Sequence, residues 1–246
     1  MKKNLIIFVL IISVLAMIST SCKKKKSNTS SYPEPVSWSP EPGPEGTLPT
    51  SVLPKSLDSI VKQYITVNTG ENPSLFNGHF GQFVSRPHTL IYSTIANDTV
   101  SVYNDRYIAF QFNDEYHLVD FFGKQWDDNK HEFYYETKRQ LNVIGHGENF
   151  TCYYLTEGYP NGYKAKQATV FSGRWDDSYG GLKDFQVAVI LLVTSGNPNL
   201  APANSFRVLG DGDGLAQDTP WITGKRTIFD EVTVSAEDAF SMFRVR

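Results

Sequence analysis

Cysteine is scarce in this chain of 246 residues, with only Cys22 and Cys152 present. A framework of disulfide staples is therefore excluded, and any core must hold by packing alone. Cys152 lies in the apolar run Phe150-Thr151-Cys152-Tyr153-Tyr154 with no neighbouring base, the setting of a buried inert thiol rather than a nucleophile. Catalytic signatures are missing too: there is no Gly-x-Ser-x-Gly elbow, no Walker loop and no Gly-x-Gly-x-x-Gly. The five histidines show no zinc spacing; His131-Glu132 opens like a metalloprotease helix, but Tyr135 stands where the second histidine belongs. Carboxylate pairs such as Glu132 with Glu136 read as solvated strand faces. No enzyme is expected. Basic stripes are also lacking, since from Ser51 onward 17 basic residues face 23 acidic ones, a net of −6, which argues against nucleic acid as a partner. The one long apolar run, Leu5 to Ile18, has 14 residues where a spanning helix needs about 17 to 25, so it fits a signal-peptide core.

What is present at the N-terminus is ordered. Lys2 and Lys3 precede the apolar run, and Ser19, Thr20 and Ser21 lead into Cys22. This layout resembles a bacterial lipoprotein signal, in which the chain is cut before a cysteine whose thiol carries diacylglycerol and whose freed amine is then acylated, for example with palmitate. Ser19 stands where Leu is usual, while Ser21 is suitably small. Residues 1–21 are thus expected to be a signal peptide and Cys22 the lipidation site, with each buried methylene contributing about 0.8 kcal/mol to anchoring. Lys23 to Lys26 follow, and lysines beside an anionic leaflet gain about 1 kcal/mol each. The acidic surface-export stretch of Bacteroidota lipoproteins has the opposite sign, which favours the periplasmic face of the outer membrane, with the cell surface as the alternative. Residues 23–50 hold five Ser and six Pro and read as a tether, reaching roughly 85 Å at about 3.1 Å per residue.

The remainder, 51–246, reads as a single all-β domain with short helices at its ends. Ser56 precedes Leu57, Ile60, Val61 and Tyr64 at helical spacing, which predicts a serine-capped helix. Ser235-Ala236-Glu237-Asp238 resembles a capping box, with Ala239, Phe240 and Phe243 on one face. Between them Arg106 to Phe112, Glu115 to Phe122 and His131 to Thr137 read as strands. Gln140 to Ile144 and Phe150 to Leu155 make a hairpin around Gly145-His146-Gly147, and Tyr163 to Trp175 pairs with Asp184 to Thr194. Val187 to Val193 is apolar on both faces and should be central. An antiparallel meander closing as a lipocalin-like barrel is expected, with a two-layer sandwich as the alternative.

Two constellations are candidate sites. Asp211, Asp213 and Asp218, with Gly210, Gly212 and Gly214 between or beside them, offer carboxylate oxygens to a hard cation, for which calcium is the candidate; otherwise no cofactor is expected. The EF-hand spacing fails, with Leu209 and Pro220 at its first and last positions, and a glycine-rich turn is the competing reading. Trp126, Trp175, Tyr153 and Tyr154 are candidate stacking platforms for a glycan or small apolar ligand, with Asp127, Asp128, Asp176 and Asp177 accepting hydroxyl protons. The competing reading is that most of these rings are core. Phe122 to Asp128 and Phe171 to Asp177 also match at Phe, Trp and both Asp.

Ser21-Cys22-Lys23, Gly70-Glu71-Asn72-Pro73 before Phe76-Asn77-Gly78, and Phe206 to Gly214 together resemble a group of Bacteroidota envelope lipoproteins. The resemblance implies the compartment and a β-domain and supplies no catalytic residue. The resulting expectation is a non-enzymatic lipoprotein held to the membrane by its N-terminal lipid, binding a small ligand or an envelope protein. A glycan-binding accessory protein of a nutrient-uptake system is the alternative.

Overall fold

The structure, a computed structural model, describes residues 32–73, 80–98, 102–103, 106–113, 118–127, 132–176, 178, 180–218 and 235–244. The chain divides into two compact units, Met1–Tyr32 and Pro33–Arg246, and every element below belongs to the second. In chain order they are β1 (Val36–Trp38), α1 (Lys55–Val61), β2 (Glu71–Pro73), β3 (Phe80–Ser85), β4 (His88–Ser93), β5 (Val102–Tyr103) and β6 (Arg106–Asn113). There follow β7 (Leu118–Asp127), β8 (Glu132–Gly147), β9 (Asn149–Gly158), β10 (Ala165–Asp176), β11 (Gly181–Val193), β12 (Phe206–Asp211), β13 (Leu215–Asp218) and α2 (Ala236–Ala239). The expected antiparallel β architecture is present; the one parallel pairing among the described strands joins β2 to β8.

The position of β11 follows from its residues. One edge carries β10, from Lys166 opposite Val193 to Asp176 opposite Gly181. The other is shared by β12, beside Gln186 to Ile190, and β13, beside Gly181 to Lys183. Because successive side chains point to opposite faces, Val187, Val189 and Leu191 enter a larger core while Ala188 and Ile190 enter a smaller one. β9 and β10 alternate in the same way: Cys152, Tyr154 and Phe171 join the larger core, and Tyr153, Leu155, Ala168 and Val170 the smaller. These three strands form the partition between the two cores.

The larger core is aromatic. Phe171 lies 4.7 Å from Phe121 and 6.3 Å from both Phe110 and Phe185, ring centroid to centroid, and Phe240 and Phe243 are fully buried in the same cluster. The smaller core is covered by Val52, Leu53, Leu57, Val61 and Ile65 from the segment carrying α1. Strand pairings run β9–β8–β7–β6–β3–β13–β11–β10, and β10 also pairs with β9. A layered packing of strands over the larger core fits these pairings.

Several expectations need correction. α1 begins at Lys55, not after Ser56, because Pro54 with φ −58° already leads into the first turn and its carbonyl accepts from Leu57 and Asp58. Ile60 is exposed, and Ile65 takes its place in the apolar stripe. The two strands expected between His131 and Ile144 are one strand, β8. At the other end Ser235 caps α2, accepting from the Asp238 amide, and Ala239, Phe240 and Phe243 are buried as expected.

The stretch read as a tether joins the folded unit from Pro33. β8 stays paired with β9 only as far as Asn142 opposite Tyr153, which leaves the same edge of Leu155 to Glu157 open, and β1 pairs there. Ser39 Oγ donates to the Tyr153 carbonyl at 2.6 Å and accepts from the Asn142 amide at 2.8 Å. A polar segment with little to bury is held by backbone pairing instead. Further on, the Gly70 amide donates to the Gly46 carbonyl and the Gly145 amide to the Gly70 carbonyl. Gly46 (φ 63°) and Gly70 (φ 125°) permit this approach, since a Cβ on Gly70 would lie 2.6 Å from the Gly145 oxygen.

Tyr153 is fully buried in the smaller core, and its hydroxyl has no hydrogen-bond partner among the described residues. Burial, and then electrostatic coupling to Cys152 and Glu41, push its pKa up. An unsatisfied buried hydroxyl costs about 1–3 kcal/mol, so Tyr153→Phe is expected to stabilise the fold by roughly 1 kcal/mol in denaturant melts. A loss of stability would show that the hydroxyl is satisfied.

Candidate functional site

Among the described residues the aromatic platform does not assemble. Tyr153 and Tyr154 are adjacent on β9 and point to opposite faces, each buried, so neither presents a ring to solvent. Trp175 packs edge-on against Phe83 at 5.6 Å and is partly buried beside the larger core. Trp126 lies on β7 next to a register shift in the β7–β8 pairing, and its side chain falls outside the described residues, as do Asp128, Asp177 and Trp221. Asp176 is engaged by the protein itself: its carboxylate accepts from Lys183 Nζ at 2.8 Å and from the Ser178 hydroxyl at 2.6 Å. The Lys183 and Ser178 hydrogen bonds hold its pKa down at about 2. Its role is to close the turn between β10 and β11. Burial in the apolar strand likewise pushes the Cys152 thiol pKa up, leaving it protonated at neutral pH.

The aspartates after β12 do come together, as a turn. Asp211 Oδ1 accepts from the Asp213 amide at 3.3 Å and Asp213 Oδ1 from the Leu215 amide at 3.0 Å, with Gly214 at φ 81° completing the reversal into β13. Asp211 Oδ2 accepts from the Arg86 amide at 3.0 Å. Asp218 lies on β13, and its side chain is outside the described residues. Among the described residues no group of three or more His, Cys, Asp or Glu is placed to hold a metal ion.

Around this turn sits a cluster that the residue spacing hid. Ser85 and His88, both buried, flank the corner between β3 and β4, and Ser85 Oγ lies 2.9 Å from His88 Nδ1. The Ser85 side chain lies beside Asp211 and favours its charged form, His88 is in register with Asp211 across the β4–β12 pairing, and the Arg86 amide joins the two turns directly. Ser85 thus stands between the imidazole and the carboxyl. This order differs from a nucleophilic triad, in which the imidazole stands between hydroxyl and carboxylate. The trio is a polar clasp that ties the β3–β4 corner to the β12–β13 turn. Ser85 and Asp211 are 126 positions apart, and no local pattern links them.

Burial, followed by the neighbouring Asp213 carboxylate, pushes the Asp211 pKa up to about 7, while the hydrogen bond from Asp211 holds Asp213 down. Below about pH 7, Asp211 therefore carries the proton of the pair and Asp213 the charge. No family model, curated protein or solved structure matches this chain.

A carboxyl whose folded-state pKa is raised contributes stability that is complete below the unfolded value, near 3.9, and lost as pH rises through the folded value. Asp211→Asn keeps one of the two acceptor oxygens, at a cost independent of pH, and its amide donates to Asp213 as the protonated acid does, without the ionisation. Its melting temperature relative to the unchanged protein is expected to rise between pH 5 and 8, by the equivalent of roughly 1 kcal/mol once solvent screening is allowed for. A difference independent of pH would contradict the shared proton.

Proposed function

We propose that this chain is an envelope lipoprotein, cut before Cys22, lipidated there and held at the periplasmic face of the outer membrane, with a non-catalytic β body that binds an envelope partner by its outer surface. The observation that carries the reading is the order of segments: a basic start, a 14-residue apolar run, small residues, Cys22, four lysines, and a folded unit from Pro33. The resemblance to Bacteroidota envelope lipoproteins points the same way. No helix among the described residues is long and apolar enough to cross a membrane, and lipid is the anchor this reading requires.

The antiparallel strands pack in layers around the larger core, which favours a sandwich over the expected barrel. That core differs from the hollow of a lipocalin: Phe83, Phe110, Phe121, Phe171 and Phe185 are buried there in mutual ring contact. A filled interior favours an outer-surface contact over a small ligand held within, and the burial of Tyr153 and Tyr154 removes half the proposed glycan platform.

Metabolic labelling tests the anchor. Cells given a palmitate probe are expected to label the full chain and not Cys22→Ser, which should also move from the membrane to the soluble fraction. An unlabelled chain, or unchanged processing and fractionation in Cys22→Ser, would overturn the reading.

A further inference from the structure

The sheet face covered by α1 continues to an end that nothing among the described residues covers. Directly opposed residues of neighbouring strands share a face, and Glu157 of β9 is opposite Val36 of β1 on one side and Lys166 of β10 on the other. Trp38, Leu155 and Ala168 form the next row, and Leu155 and Ala168 belong to the smaller core. Val36 is 61% exposed and Trp38 38%, with Lys166 Nζ 5.3 Å from the Trp38 ring centroid. Tyr163, 41% exposed, precedes β10 at the same end of the sheet. Lys164 pairs with Glu157 at 2.9 Å, leaving the Lys166 charge over the indole.

Two large apolar residues on so short an edge strand need a reason, and the chain connectivity provides one. Only ten residues, 23–32, separate Cys22 from Pro33, where the folded unit begins, three positions before Val36. At no more than about 3.6 Å per residue, the path from Cys22 to Pro33 spans at most about 40 Å, under half the reach of a tether running to Ser51. Trp and Tyr favour the headgroup level, where one end of the ring is apolar and the other wet, and a lysine stem can lie along apolar surface with its charge at the phosphates.

We propose that the uncovered face formed by Val36, Trp38 and Lys166, with Tyr163 beside it, seats on the lipid leaflet that holds the Cys22 anchor. The assignment rests on the lipoprotein reading. It makes the anchor and the β1 end of the sheet one two-part attachment, in which the lipid supplies retention and the sheet face sets orientation.

The lipidated full chain, labelled with palmitate and reconstituted in phosphatidylethanolamine–phosphatidylglycerol vesicles whose acyl chains carry bromine near the headgroup, tests this. Tryptophan emission is expected to fall relative to unbrominated vesicles, and Trp38→Phe should abolish at least half of that loss. Val36→Asp, which keeps Trp38 as reporter, should reduce the loss about twofold or more, since a carboxylate beside the indole opposes both apolar insertion and anionic headgroups. Equal loss in the unchanged protein and Trp38→Phe, or no loss in a labelled protein, would overturn the membrane contact and leave the anchor standing. Failure to take up palmitate would overturn the anchor, and the contact with it.

Discussion

Burial of β11 on both faces is the constraint from which the rest of the body follows. Val187, Val189 and Leu191 enter one core and Ala188 and Ile190 the other, and a fully buried Val, Leu or Ile side chain is worth about 1.5–3 kcal/mol. Neither face can be left to water. One is met by the phenylalanines of β3, β6, β7 and the C-terminal turns, and the other by α1 with β12. β9 and β10 repeat the alternation, so three neighbouring strands each serve two cores. The chain has no disulfide between its described residues, and this doubled burial takes that role.

Polar groups drawn inside are placed where they tie distant segments together. Arg207 Nε donates to Asp98 Oδ2 at 2.6 Å with both side chains largely buried, joining β12 to the loop after β4. Gln167 Nε2 donates to the Ala239 carbonyl at 2.8 Å, docking α2 on β10, and Asn142 holds the Ser39 and Pro40 carbonyls. The Ser85–His88–Asp211 clasp does the same for two turns. Each of these groups acts on the protein's own backbone or side chains.

How much was legible in the sequence depended on whether the deciding forces were local. β11 was readable because an unbroken apolar run fits a strand covered twice, and the β8–β9 hairpin because Gly147 supplies the positive φ its turn requires. The cap of α2 was equally local. Pro33 to Thr50 misled because its composition has little to bury, yet an open edge on β9, created by the departure of β8, was there to take it. Tyr153 and Tyr154 misled because adjacent strand residues face opposite ways, and here both faces are core. The Asp211 turn was readable as a turn; its Ser85 and His88 neighbours were not, since only the pairing of β4 with β12 brings them together.

Covered on both faces, β11 should be the last element to open. Native-state hydrogen exchange across a denaturant series tests it most directly. The amides of Val187 to Leu191 should exchange only through global unfolding, with a steep denaturant dependence, while those of β1 exchange by local opening. Exchange from β11 as fast as from β1, or insensitive to denaturant, would contradict the account.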